Sequence, residues 1–260
     1  MNQREYYNLY KVEKFYWWFV GRRFIIKNII NKYISKTTCL RILDYGSGTG
    51  GNFSLLNEFG NTVGAEVSTV AIELSKQNFP SNKVYTINKD QALPFPDNHF
   101  DLITLLDVLE HVKDDIKLLS EIKRHLKPNG NMLITVPAYQ FLWSEHDEAL
   151  GHFRRYTLKN LTKKLETTGF KVTYATYTMS LLFPLMVFYR LIQQLVSKSK
   201  STALLHPTVS YLNIPTPVNY LLVSILKLES LLLGIMKFPF GMSVAILAQT
   251  HNELSNLPQR

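Results

Sequence analysis

Three observations predict a doubly wound α/β fold, a parallel sheet with helices on both faces. Short β-branched runs alternate with stretches of helical apolar periodicity along most of the 260 residues, the alternation from which such sheets are built. One run, Ile42-Leu43-Asp44-Tyr45, passes directly into the glycine-rich turn Gly46-Ser47-Gly48-Thr49-Gly50-Gly51 and then a helix near Asn52. Apolar residues make up 46% of the chain and charged residues 19%, which supplies a core and excludes a disordered chain.

Each element follows from local pattern. Phe15, Trp18, Phe19, Ile25, Ile26, Ile29, Ile30 and Tyr33 recur at helical spacing and predict an opening helix over 15–33. Strands are predicted over 41–45, 62–67, 83–87, 100–106, 131–136 and 170–177, with a final one over 243–249. Asp114 caps a helix whose apolar face is Ile116, Leu119, Ile122 and Leu126, with Lys123, Arg124, His125 and Lys127 near its negative pole and Pro128-Asn129-Gly130 as its stop. Thr157 opens another helix, closed by Gly169. The alternation is interrupted over 180–240 by two apolar runs, 179–196 and 218–237. Pro184 and Arg190 interrupt the first, and Lys227 and Glu229 sit in the middle of the second, so neither reads as a bilayer span. The expected organisation is an N-terminal helical cap (1–36), a core (37–179 with 241–252) and an apolar helical insertion (180–240). Packing on the domain, a homodimer interface, a lid over the substrate and a helix lying on a membrane surface compete as uses of that insertion.

The formal charge of +9 favours an anionic partner such as nucleic acid, a phosphorylated substrate or an acidic membrane surface. The single cysteine, Cys39, excludes a disulfide framework and a multi-cysteine zinc site. The first residues are polar and carry no apolar core before a small-residue cleavage site, so no secretory leader is expected and a cytoplasmic location is.

Ligands of open α/β sheets bind outside the carboxyl ends of strands, next to the turn at Gly46–Gly51. The spacing Gly46-x-Gly48-x-x-Gly51 also satisfies a dinucleotide fingerprint. Asp44, at the strand tip, argues against that reading, because it would repel a pyrophosphate and suits a ligand with a cationic end such as the α-ammonium of S-adenosylmethionine. Glu66, ending the second strand, can accept both hydroxyls of an unphosphorylated ribose. After the third strand, Asp90 can accept adenine amino hydrogens and Ala92 can offer a backbone N–H.

The motifs Ile42–Gly51, 63–67, DQALPFPDNHF from Asp90, DLITLLDVLEHV from Asp101 and LKPNGNMLITVP from Leu126 occur in an order and spacing that resembles the class I S-adenosylmethionine-dependent methyltransferases, specifically the type 11/type 23 small-molecule group. The resemblance spans about 41–137. It implies a Rossmann-like, seven-stranded, mostly parallel sheet with an antiparallel last strand, filled here by 243–249. It further implies that Asp44, Gly46, Ser47 and Gly48 hold the methionine end of the cofactor and that Glu66 binds the ribose. Val67 would then stack near the adenine, Asp90, Gln91 and Ala92 flank the base, and Asp107 lie beside the cofactor. The segment Trp17–Arg23 resembles the opening helix of such enzymes, from which Arg22 would reach the cofactor carboxylate while Trp18 closes the pocket.

A protonated oxygen acceptor needs a base, and histidine suits neutral pH. The candidates are His111, His146 and His152, with Tyr139 as a further catalytic candidate. His111 is equally suited to fixing a backbone carbonyl. The loop 139–156 mixes aromatic, acidic and basic residues, as binding loops do. Arg154, Arg155 and Tyr156 either receive a polar acceptor or tie the loop down through Glu145, Asp147 and Glu148. No HxxxH or HExxH spacing occurs, so no metal is expected. The expected function is methyl transfer to a small-molecule acceptor, an oxygen on an apolar or lipid-linked molecule. Leu106-Asp107-Val108-Leu109 stands where enzymes that methylate exocyclic base amines carry Asn/Asp-Pro-Pro-aromatic, so nucleic acid is not the expected substrate. An RNA methyltransferase and a non-catalytic cofactor-binding scaffold are the alternatives.

Overall fold

The computed structural model describes residues 3–34, 39–88, 92–188 and 214–250. Seven strands form one sheet: β1 (Leu40–Tyr45), β2 (Gly60–Glu66), β3 (Val84–Thr86), β4 (Phe100–Leu106), β5 (Leu126–Pro137), β6 (Phe170–Thr178) and β7 (Ser243–Thr250). Their order is β3-β2-β1-β4-β5-β7-β6. Strands β1 to β5 pair in parallel, and β7 runs antiparallel between β5 and β6. The predicted fold and its antiparallel last strand are therefore present. Because the order reverses beside β1, with β2 on one flank and β4 on the other, a crevice opens at the carboxyl ends of these strands.

Among the described residues, eight α-helices flank the sheet: α1 (Gln3–Val12), α2 (Trp17–Tyr33), α3 (Phe53–Leu56), α4 (Thr69–Asn78), α5 (Asp115–His125), α6 (Glu145–Leu150), α7 (Leu158–Thr167) and α8 (Thr216–Leu233). A helical turn also covers 183–188. The caps read from sequence hold. Asp114 accepts from Lys117 N at 3.0 Å, Thr157 accepts from Asn160 N at 3.2 Å, and Gly169 takes a left-handed φ of 79°.

Three expectations change. The opening helix starts earlier and is broken in two: Tyr16 is extended (φ −68°, ψ 131°) and Phe15 is exposed at the corner. Its second half is no separate cap, since Ile25, Ile26, Ile29 and Ile30 are buried against Leu40, Ile42, Leu102, Leu133 and Leu247 on one sheet face. The apolar face of α5 is rotated, with Leu118 buried in place of the exposed Ile116.

Within 180–240, residues 189–213 lie outside the described residues. Helix α8 packs along α2, where Leu226 occupies the space that a Cβ on Gly21 would need. Ser230 Oγ donates to Phe24 O at 2.8 Å, and Trp17 N donates to Asn219 Oδ1 at 2.9 Å. Glu229 is fully buried and accepts from Leu181 N at 2.9 Å, so α8 also anchors the chain leaving β6. By length and composition α8 is apolar enough to cross a membrane. Leu221, Leu228 and Leu231 on it remain exposed.

Candidate active site

The turn after β1 is shaped by hydrogen bonds to β2. Gly46 N donates to Ala65 O at 2.8 Å, and Gly48 N donates to Glu66 Oε2 at 2.8 Å. The other oxygen of Glu66 accepts from Val67 N and Ser68 N at 2.8 and 2.9 Å. Gly46 and Gly48 have φ of 72° and 53°, which side-chain-bearing residues rarely adopt. A Cβ on Gly46 would lie 2.6 Å from Val108 Cγ2, whereas one on Gly48 would meet only Leu9 Cδ2 at 3.9 Å. The missing side chain at Gly48 thus leaves a cradle against bare backbone.

Helix α1 lies over this turn, which sequence reasoning missed. Glu13 is buried and accepts from Thr49 Oγ1 at 2.8 Å through Oε2, while Oε1 has no partner. Burial pushes its carboxyl up to about 7, despite the Thr49 hydrogen bond and the nearby Arg23. The Tyr6 hydroxyl reaches Glu66 and Ser68, and burial together with the Glu66 charge pushes it up to about 12. Nothing local in MNQREYYNLYKVEK marks these contacts.

Asp107, just past β4, is held at φ 59°. Its Oδ1 accepts from Thr135 Oγ1 at 2.9 Å and its Oδ2 pairs with Arg22. The Arg22 Nε–H is buried without a partner. Arg22, Trp18, Gly46, Ser47, Gly48, Glu66, Val67, Ala92 and Asp107 all line one cavity of about 1320 Å³. Asp44 is corrected. It does not line the cavity but lies behind the turn, 1% exposed, with Oδ1 accepting from Thr104 Oγ1 at 2.6 Å and Oδ2 unpartnered. Burial pushes it up to about 6, against the lowering effect of Thr104. Asp90 and Gln91 lie outside the described residues.

The same cavity continues past Asp107 to Glu110, His111, His146, Leu150 and His152, flanked by Trp17, Met186 and Met242. Phe153 N donates to Glu110 O at 2.8 Å, joining the loop 139–156 to the turn Leu109–His111. The rings of His111 and His152 meet edge to face at 4.6 Å. His152 Nδ1 lies 2.9 Å from Asp147 Oδ1, to which it donates a hydrogen. Asp147 is fully buried and also receives Arg155 on both oxygens at 2.8 and 2.9 Å. Burial raises Asp147, but the hydrogen bonds from His152 and Arg155 outweigh it and hold the carboxyl well below its ordinary range. Burial, then the neighbouring His152, pulls the His111 ring down to about 3. Glu110 is 1% exposed and neither of its oxygens bonds another residue. Burial, then the charge of Asp107, pushes it far above its usual range.

Two expectations for the loop resolve. Arg155 is locked on Asp147, and Arg154 pairs with Asp115 at 3.0 Å, which also accepts from Tyr156 Oη at 2.9 Å. These residues tie the loop down. Tyr139 is corrected: its ring stacks on Tyr177 at 5.1 Å, away from the cavity, and it is not placed to act on a ligand there.

The residues fit an adenosyl-methionine: a side-chain-free cradle at Gly48, a carboxylate beside it at the end of β2, and a cation–anion pair with an unpartnered N–H. Residues 22–175 match a methyltransferase-domain family, type 23. An uncharacterised protein of Methanocaldococcus jannaschii is 31% identical over 153 residues, 58% of this chain and 63% of that one. The ubiquinone/menaquinone biosynthesis C-methyltransferase of Shewanella oneidensis is 32% identical over 133 residues, 48% of this chain and 51% of that one. The chain therefore spans about half to just under two thirds of the length of these curated relatives. Among solved structures, an S-adenosylmethionine-dependent methyltransferase from Archaeoglobus fulgidus superposes with a TM-score of 0.55 at 17% identity, covering 88% of this chain and 94% of that one. A phosphoethanolamine N-methyltransferase of Haemonchus contortus, solved with S-adenosylmethionine, gives 0.56 at 21%, covering 88% and 52%. Those likenesses concern the fold, while the family match covers more than half of the chain and contains the glycine turn, Glu66, Asp107 and His111: this protein belongs to the class I S-adenosylmethionine-dependent methyltransferases.

Proposed function

We propose that the protein methylates an oxygen of an apolar, hydroxyl-bearing small molecule. The observation that carries this reading is the single cavity in which the cofactor cradle and the His111–His152 wall face the same space. Bound S-adenosylmethionine supplies an electrophilic sulfonium methyl. Glu66 receives the ribose hydroxyls, and Arg22 and Asp107 present opposite charges to the amino-acid end. Asp44 acts from behind, as a buried negative group that holds the turn. His111, kept uncharged by its burial, and His152 offer ring nitrogens to the cavity and so suit the removal of a hydroxyl proton; alignment of the acceptor by such a wall contributes about 7–11 kcal/mol. Trp17, Trp18, Leu150, Met186 and Met242 make the rest of that end apolar, which supports an apolar acceptor.

A second reading is methylation at carbon, favoured by the likeness to the quinone-biosynthetic C-methyltransferase. It uses the same wall, since a phenol must also lose its proton to become a carbon nucleophile. Exposed Leu221, Leu228, Leu231 and Ile235, with Lys227 and Lys237 beside them, support contact with an anionic membrane that would deliver such an acceptor. The test is transfer of labelled methyl to extract fractions separated into lipid, glycan, RNA and protein, with the product's carbon–oxygen or carbon–carbon bond assigned by NMR. Label in the lipid fraction as an O-methyl is the expected result. Label in RNA, or S-adenosylhomocysteine failing to bind in calorimetry, overturns it. Flotation with anionic liposomes, lost when Leu228 and Leu231 become serine, checks the membrane contact.

A further inference from the structure

We propose that Glu110, His111 and His152 form a binding site for a divalent transition metal ion on the acceptor wall of the cavity. The three candidate ligand atoms all lie within 4.8 Å of one another. Two imidazole rings and the two oxygens of a buried carboxyl converge there. His152 Nδ1 is engaged by Asp147 at 2.9 Å, which leaves Nε2 as the ring's ligand atom. His111 brings a ring nitrogen of its own to the cluster. Glu110 adds two carboxylate oxygens, buried and without a hydrogen-bond partner in another residue. Such a carboxylate is costly to bury unless a cation or donor meets it.

The surroundings are those of a ligand shell. Histidine ligands of metals pass their second N–H to a carboxylate or a backbone carbonyl, which fixes the tautomer and the ring. Here His152 uses the carboxylate of Asp147. Asp147 is itself fixed by Arg155 on both oxygens and by Ser144 N at 2.9 Å. Two imidazoles and one carboxylate suit zinc, cobalt, nickel or ferrous ions rather than magnesium or calcium. Three protein ligands leave positions open toward the cavity. The sequence-based expectation of no metal rested on the absence of paired ligands on one helix, and these ligands come from two separate loops.

The role of such an ion rests on the methyl-transfer reading above. It takes an acceptor that ligates through oxygen, and it acidifies that hydroxyl so that the proton leaves to solvent. The histidines then serve as ligands and not as the base. The acceptor class narrows to molecules whose methylated or adjacent oxygen can bind a metal.

The experiment titrates chelator-stripped full-length protein with Co2+, followed by visible absorption, and then displaces it with Zn2+. One equivalent per chain with the ligand-field bands of a nitrogen-containing site is expected, lost in His111→Ala and in His152→Ala. Because the histidine changes disturb Asp147 and the loop, Glu110→Gln is the second variant: it keeps the shape, removes a ligand oxygen's charge, and lowers Co2+ affinity at least about tenfold. It also raises the thermal stability of the metal-free protein, since an unpartnered buried carboxylate is gone. Absent bands, bands that survive in both histidine variants, or unchanged affinity in Glu110→Gln overturn the site. S-adenosylhomocysteine calorimetry on the same samples separates the two readings: cofactor binding without cobalt binding removes only the metal, and failure of cofactor binding removes the methyl-transfer reading.

Discussion

Along the cofactor half of the cavity, the glycine turn and Glu66, at the ends of β1 and β2, are tied to backbone. Along the acceptor half, the polar groups come from the turn Leu109–His111 and the loop 139–156 and are tied to one another. Glu66 takes three backbone N–H groups from the turn and from the start of α4, so its position follows once β1 and β2 pair. His152 is placed by Asp147, which is placed by Arg155 and Ser144, a chain of side chains whose links depend on each other. Backbone-anchored sites are robust to substitution around them, while side-chain networks fail together.

The largest effect expected from breaking this contrast is on the acceptor half. Arg155→Ala leaves the fully buried Asp147 without its cation and should cost about 3–5 kcal/mol of stability in urea unfolding. Cofactor affinity, measured on the folded fraction, should change by less than about twofold, because Arg155 and Asp147 hydrogen-bond none of the cofactor-side residues. Coupled loss of cofactor binding would mean the two halves are one network. Next is Glu66→Ala, which removes charge-assisted hydrogen bonds worth about 1.5–3 kcal/mol and should weaken S-adenosylhomocysteine binding by on the order of 100-fold in calorimetry.

A smaller effect concerns pH. Burial raises the carboxyls of Asp44 and Glu13 to about 6 and about 7, so the folded protein holds these protons more tightly than the unfolded chain. Their stabilising contribution is full below the ordinary carboxylate values and is lost as pH rises through about 6 and then about 7. The slope is at most about 1.4 kcal/mol per pH unit for each group. Urea unfolding from pH 4 to 8 reads this, and Glu13→Gln should remove the upper part of the decline. The smallest effect is Tyr139→Phe: with its ring on Tyr177 outside the cavity, kcat should stay within about twofold. A larger loss would return Tyr139 to the chemistry.

The glycine turn, Glu66, Val67, Asp107 and the helix caps were legible because each is set by neighbours within one strand–turn–helix unit. Asp44 was legible as a strand-tip acid but not as a buried one, since strand alternation does not say which tip residue points behind the turn. Glu13 and Tyr6 carried no signal at all, because α1 meets the turn only after the chain has folded back on α4. Glu110 stood beside a flagged histidine and was passed over: an acid in a helical turn reads as solvated until its burial is known.

The order of apolar runs, turns and strand-end carboxylates already determines the fold and the class of ligand at its crevice, because those depend on local periodicity and on charge at fixed strand positions. Which acids are buried, and which histidines meet, was decided only by the return of the loop 139–156 onto the turn Leu109–His111. Residues far apart in the chain acquire a common chemistry only when backbone pairing such as Phe153 N to Glu110 O brings their side chains into the same dry space.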